Sequence, residues 1–192
     1  MIREEFFPTS IYGKDIQLDN NKLAEDIIAW SNKDPGVSKT NFKGWHSTTD
    51  MQTKLEYKTL VDEIIIASKE VFKEEFLDRE PVMGNMWANI NPTGAANDPH
   101  IHPNSHFSGV YYINTNPKCG VLKITDPRPG VQSVMPIKKP GEPPKRLWRD
   151  AFIAPVPGRL VIFPAWLWHS VETNESDKLR ISVSFNIIQQ GF

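Results

Sequence analysis

Nine consecutive residues near the C-terminus, Leu179-Arg180-Ile181-Ser182-Val183-Ser184-Phe185-Asn186-Ile187, alternate between apolar and polar side chains without a break. Successive side chains of an extended chain point to opposite faces, so this run predicts a strand with one dry face and one polar face. A dry face of that length has to be covered. The first eighty residues offer the cover, because helical periodicity appears there and nowhere else. Leu23, Ile27, Ile28 and Trp30 make an apolar stripe behind the candidate caps Asn20 and Asn21, and Asp34-Pro35-Gly36 stops that helix. A longer helix over about Leu55 to Leu77 sets Tyr57, Val61, Ile64, Ile65, Ser68, Phe72 and Phe76 on one face, with Lys and Glu opposite. A short extended piece precedes both, around Phe6 to Tyr12.

From Met83 onward the texture changes to short runs of β-branched and aromatic residues divided by Pro, Gly and Asn. Strands are predicted at Asn85 to Asn91, His106 to Asn114, Val121 to Thr125, Val131 to Ile137, Ala151 to Ala154, Arg159 to Phe163, Trp168 to Glu172 and Leu179 to Ile188. Short strands at that spacing point to a barrel or a jelly roll. The stretch Pro127 to Pro144 holds six prolines and several lysines, and reads as a flap over a site rather than a domain linker.

Composition narrows the function classes. A chain of 192 residues, 39% hydrophobic, suits a single well-cored domain. Its 22 basic and 23 acidic side chains nearly cancel, which disfavours nucleic acid and other polyanions as partners. Cys119 is the sole cysteine, so an internal disulfide is excluded and a reducing compartment fits. Met1-Ile2-Arg3-Glu4-Glu5 opens no apolar leader, and no run reaches membrane-span length, so a cytoplasmic protein without membrane contact is expected. A homo-oligomer is left open.

The polar face of the last strand raises the question of chemistry. If the helices cover the apolar face, Arg180 points into the β core, where a cation is costly unless it meets an anion. A half-solvated strand with Arg180 in water is the plainer alternative. His169 bears on the choice: Gly158 to Pro164 reads as a turn, a buried strand and a stop, and His169 opens the strand after it. Trp166 and Trp168 beside it could shield a site from water. His100 and His102, at an i, i+2 spacing, present two imidazoles on one side of an extended segment, with His169 as a distant third. That is metal-ligand spacing, and an Arg eleven residues past the last His suits a carboxylate-bearing co-substrate. A chance His-x-His remains the competing reading. His106 is a fourth imidazole nearby, better suited to the rim or to supporting a ligand than to ligation.

These residues resemble the iron(II) and 2-oxoglutarate-dependent dioxygenases, and most closely a small oxygenase family of bacteria and phages. The likeness runs from Asn89 to Asn186. It rests on His100-Ile101-His102-Pro103-Asn104-Ser105, Ser108 to Ile113, Asp126-Pro127-Arg128, Pro157-Gly158 to Phe163-Pro164, His169, and Arg180-Ile181-Ser182 to Phe185-Asn186. The resemblance implies a mainly β fold with N-terminal helices: a double-stranded β-helix, jelly-roll and cupin-like, covered on one face by two helices. One domain would span residues 1–192, with helical support over 1–82 and the β core over 83–192. It further implies Fe(II) on His100, His102 and His169, with 2-oxoglutarate and O2 as co-substrates. The far carboxylate of 2-oxoglutarate would meet Arg180, assisted by Ser182 and Tyr112. Leu122 would wall the pocket, and Asn89 is a weaker contact. The activity implied is hydroxylation of a substrate coupled to decarboxylation of 2-oxoglutarate to succinate and CO2.

The chain departs from the wider superfamily at one position, since His102 stands where a carboxylate ligand is usual. Three imidazoles leave a divalent ion its full charge, whereas two His and a carboxylate leave one unit less. Three readings stay open: iron on three His, Asp98 in place of one His, or Zn(II) with different chemistry. Two other classes compete, a cupin-like metalloenzyme that does not use 2-oxoglutarate and a non-catalytic β-sandwich binding module. Lys138, Lys139, Lys145, Arg146 and Arg149 make the flap basic, so an acidic substrate is an expectation, set against a flap whose charges only solvate it.

Overall fold

The computed structural model describes residues 1–128, 130 and 139–191 of the chain. Its strands are β1 Tyr12–Asp15, β2 Asn41–Phe42, β3 Trp45–His46, β4 Pro81–Asn91, β5 Ala96–His100, β6 Phe107–Asn114, β7 Leu122–Thr125, β8 Asp150–Ile153, β9 Arg159–Pro164, β10 His169–Val171 and β11 Arg180–Gln189. Two α-helices, α1 Asn20–Ser31 and α2 Lys58–Glu74, lie among the first strands. A six-stranded sheet has the order β1-β9-β6-β11-β4-β3, and a five-stranded sheet β2-β5-β10-β7-β8. From β4 onward the chain passes back and forth between the two sheets, and neighbouring strands pair antiparallel. This is the expected double-stranded β-helix.

The alternation of β11 does what the sequence suggested. Ile181, Val183, Phe185 and Ile187 sink into a core that also takes Leu23 and Ile27 of α1 and Leu60, Ile64, Val71 and Phe72 of α2. The helices therefore cover the outer face of the larger sheet, and the polar face of β11 turns inward between the sheets. β11 is also one of the two central strands of the larger sheet, bonded along its length to β4 and β6. No helix among the described residues is long and apolar enough to cross a membrane.

Several local expectations shift. The first helix is capped by Asp19, whose side chain accepts from the Lys22 amide at 3.0 Å; Asn20 instead accepts the Tyr111 hydroxyl at 2.7 Å. The second helix starts three residues late, after a 3-10 turn at Leu55–Tyr57, and stops at Glu74. Phe76 adopts φ +54° and is 97% exposed, while Leu77 N–H bonds back to Phe72, so the left-handed closure of the helix takes Phe76 out of the predicted apolar face. The first strand is Tyr12–Asp15, and Phe6 and Phe7 lie exposed before it. β5 has no counterpart among the predicted strands. The predicted strand Val131 to Ile137 lies outside the described residues, as does half of the predicted flap.

Candidate active site

Two of the three histidines face each other across the smaller sheet. β10 pairs with β5 so that His169 stands opposite His100. His102 lies two residues past the end of β5, and its amide bonds the Ala165 carbonyl at 3.0 Å, which ties it to the loop entering β10. The ring centroids of His100, His102 and His169 are 4.3 to 5.0 Å apart, and one ligand nitrogen from each lies within 4.8 Å of the others.

The donor chemistry fits a divalent cation. His100 Nδ1 is 2.7 Å from the Asp98 carbonyl and His169 Nδ1 is 2.8 Å from the Leu167 carbonyl. A carbonyl only accepts, so each Nδ1 carries the proton and each Nε2 keeps its lone pair. Burial, reinforced by its imidazole neighbours, holds His102 down to about 3; burial, then His100, holds His169 down to about 4, and burial lowers His100 as well. All three are neutral ligands at pH 7. Asp98 gives its carbonyl to His100, and its exposed side chain stands outside the group that could hold a metal.

Arg180 opens β11 on the inward face and is 2% exposed. Its Nη1 donates to the Cys119 carbonyl at 2.9 Å, with the Gly120 carbonyl at 3.5 Å. Among the described residues it makes no ion pair with a carboxylate. That anchor depends on Gly120: its φ is +83°, and a Cβ there would stand 2.1 Å from the Glu172 carbonyl oxygen. Ser182 follows on the same face and stands across from Asn89 of β4 and Tyr112 of β6. Burial pushes the Tyr112 phenol up, so it remains a protonated donor. Leu122 of β7 closes the apolar side with Phe163 and Leu167.

One cavity of about 420 Å³ joins these groups: His100, His102, His169, Arg180, Ser182, Tyr112, Leu122 and Asn89 all line it. Its volume is that of a small-molecule site, commonly about 300–1,000 Å³. Among the described residues, no Asp or Glu lines it. A divalent ion held by three neutral imidazoles would keep its full charge, and Arg180 adds a cation to the same cavity.

Other expected neighbours stay away. His106 takes no part in the cluster; its Nδ1 accepts the Gln189 amide at 3.2 Å. Trp166 and Trp168 are 53% and 50% exposed and do not line the cavity, so the water shield is not built from them. Trp87 lies there instead, stacked at 9° on His46 and tilted against His102. His46, Asn85 and Trp87 were not among the expected site residues. The parity of β4 carries the signal for two of them, since Asn85, Trp87 and Asn89 share a face. His46 sits on a two-residue strand too short to show any period.

Comparison with known proteins accords with this geometry. Residues 85–186, just over half of the chain, match the model of the family described as "Putative 2OG-Fe(II) oxygenase". Comparison with curated proteins gives no match. Among solved structures, a Pseudomonas putida prolyl-4-hydroxylase is 14% identical with a TM-score of 0.67, over 95% of this chain and 94% of that one. The α-ketoglutarate-dependent epimerase SnoN of nogalamycin biosynthesis is 13% identical, with a TM-score of 0.68, over 94% of this chain and 77% of that one. HygX from Streptomyces hygroscopicus, solved with nickel and 2-oxoglutarate bound, is 9% identical with a TM-score of 0.65, over 96% and 84% of the two chains. At such identities the likeness speaks for the fold alone.

Proposed function

The chain belongs to the 2OG-Fe(II) oxygenase family, and from that premise we propose that it hydroxylates a small organic substrate, R–H + 2-oxoglutarate + O2 giving R–OH + succinate + CO2. The family makes it a 2-oxoglutarate-dependent oxygenase; hydroxylation is the narrower reading, because the structural relatives include an epimerase as well as a prolyl hydroxylase. The observation that carries the assignment is Arg180, a buried guanidinium with no carboxylate partner among the described residues, in one cavity with three neutral imidazoles.

His100, His102 and His169 would hold Fe(II), which supplies the redox chemistry that O2 needs and that no side chain of this protein has. Arg180 would receive the far carboxylate of 2-oxoglutarate through charge-assisted hydrogen bonds. Ser182 and the protonated phenol of Tyr112 would add hydroxyl donors beside it, with Leu122 packed along the carbon chain. The Cys119 carbonyl fixes the guanidinium before the diacid arrives, so little ordering remains at binding. Asn89 stands opposite Ser182 and is the least committed of these contacts.

A cupin-like metalloenzyme that does not use 2-oxoglutarate would have no use for Arg180 and Tyr112 beside the metal ligands. The test is anaerobic addition of Fe(II) and 2-oxoglutarate, which should give the visible charge-transfer band of the chelate. Admission of isotopically labelled O2 with a turned-over substrate should then place one labelled oxygen atom in the product. Failure of the band would sink the oxygenase reading; a band with succinate but an unlabelled, isomerised or dehydrogenated product would sink hydroxylation alone.

A further inference from the structure

The cavity extends well beyond what 2-oxoglutarate can occupy. Its lining on β11 runs from Arg180 to Asn186, about 20 Å along the strand at about 3.3 Å per residue, whereas a five-carbon diacid spans about 7 Å. Past the three histidines, the walls are Asn85, Trp87, Ser184, Asn186, His46 and Thr49. Among the described residues no carboxylate lines this chamber, and its one cation, Lys39, is exposed.

The hydrogen bonds in this wall have a direction. Ser108 Oγ–H donates to Asn186 Oδ1 at 2.6 Å, and Asn186 Nδ2 donates to Asn85 Oδ1 at 2.8 Å. The relay ends on Asn85, whose Nδ2 has no partner among the described residues and remains a donor for an occupant. His46 Nδ1 stands 2.6 Å from the Ser47 carbonyl and so carries the proton, while the flat stack on Trp87 fixes the ring. Its Nε2 is then an acceptor without a partner among the described residues. Asn89 donates from Nδ2 to Ser184 Oγ at 3.1 Å, and its buried Oδ1 has no hydrogen-bond partner among the described residues. A buried acceptor left in that state is costly, and in a native site it marks a missing donor.

The acceptors Asn89 Oδ1 and His46 Nε2 and the donor Asn85 Nδ2 therefore face a space whose one cation among the described residues, Lys39, is exposed. A carboxylate or phosphate only accepts and would leave both Asn89 Oδ1 and His46 Nε2 unmet. From this juxtaposition we infer that the chamber binds an uncharged small molecule rich in O–H or N–H donors, a neutral polyol or a primary amide, with Asn85, His46 and Asn89 selecting it. This rests on the oxygenase reading above and names the substrate class for that same site. Of the basic residues behind the expectation of an acidic substrate, Lys138 lies outside the described residues, and Lys139, Lys145, Arg146 and Arg149 do not line the cavity.

The experiment uses the full chain with Fe(II) and 2-oxoglutarate under anaerobic conditions. The band formed by 2-oxoglutarate alone reports the oxygenase reading; its perturbation by an added probe reports the chamber. The neutral arms are methyl glucoside and adenosine as polyols, and N-acetylglycinamide as an amide; the acidic arm is gluconate, adenosine monophosphate and N-acetylglycine. Members of a neutral arm should shift the band saturably while their acidic counterparts do not, and the responding arm tells polyol from amide. Asn85→Asp, which keeps the acceptor for Asn186 but loses the donor, should weaken that response about tenfold. So should His46→Phe, which keeps the ring stack but loses the acceptor. Both variants should keep the band of 2-oxoglutarate alone, which controls for folding. A response confined to the acidic arm, silence of both neutral arms, or unchanged neutral binding in both variants would overturn the inference.

Discussion

Replacing Arg180 by Met separates the binding role of this residue from a structural one. The wild-type guanidinium makes one well-formed hydrogen bond, to the Cys119 carbonyl at 2.9 Å, and no ion pair among the described residues. Met removes a buried cation whose desolvation costs several kcal/mol and leaves one carbonyl unmet at about 1–3 kcal/mol. These oppose each other, so the ligand-free protein should change by no more than about 1–2 kcal/mol. The loss of two charge-assisted bonds to the diacid, about 1.5–3 kcal/mol each, should weaken 2-oxoglutarate by roughly 10²–10⁴-fold. At a concentration 100-fold above the wild-type Kd, ligand adds about 2.7 kcal/mol to the wild type and about 0.4 kcal/mol or less to the variant. For a chain of this size, that is a rise in Tm of roughly 5–10 °C against about 1 °C. Thermal melts of the Mn(II)-loaded protein with and without 2-oxoglutarate read both quantities. An undiminished ligand-induced shift in Arg180→Met would refute the clamp, and collapse of the ligand-free protein would mark Arg180 as part of the fold instead.

Three further outcomes can be measured. His169→Ala should cost metal affinity more than the roughly 10–100-fold typical of an outer partner of a ligand, read by calorimetric titration of the apoprotein; wild-type affinity would remove His169 from the site. Gly120→Ala, with φ +83° and a Cβ 2.1 Å from the Glu172 carbonyl oxygen, should lower stability by about 2–3 kcal/mol and also weaken 2-oxoglutarate, since the neighbouring Cys119 carbonyl anchors Arg180. A variant that melts like wild type would contradict the close approach. Asp19→Ala removes the cap of α1 and should cost about 1 kcal/mol in denaturant unfolding, with the band of the 2-oxoglutarate chelate untouched. A changed band would mean that α1 couples to the site.

Reading the sequence located β11, its parity and its buried Arg correctly because alternation over nine residues is a strong local signal. It failed at β5, where Ala-Asn-Asp-Pro-His carries almost no strand propensity and Pro99 lacks an N–H. The strand exists because β2 and β10 flank it, and the irregular register between His169 and Val171 lies beside the proline. Trp166 and Trp168 misled for the opposite reason. Their place next to His169 in the chain says nothing about which way the turn between β9 and β10 carries them, and they ended outside while Trp87, on β4, ended inside.

By itself the sequence determined which residues share a face, and hence that Arg180 and Ser182 lie on one side of β11, because backbone geometry dictates that relation within one strand. It also carried, in order along the chain, the groups by which the family is known. Tertiary structure alone decided that His169 meets His100 across two strands, that Asn85 completes a relay begun at Ser108, and that His46 turns its free nitrogen into the same cavity. Those relations span tens of residues and depend on sheet pairing, which is set by packing of the whole core rather than by any local pattern.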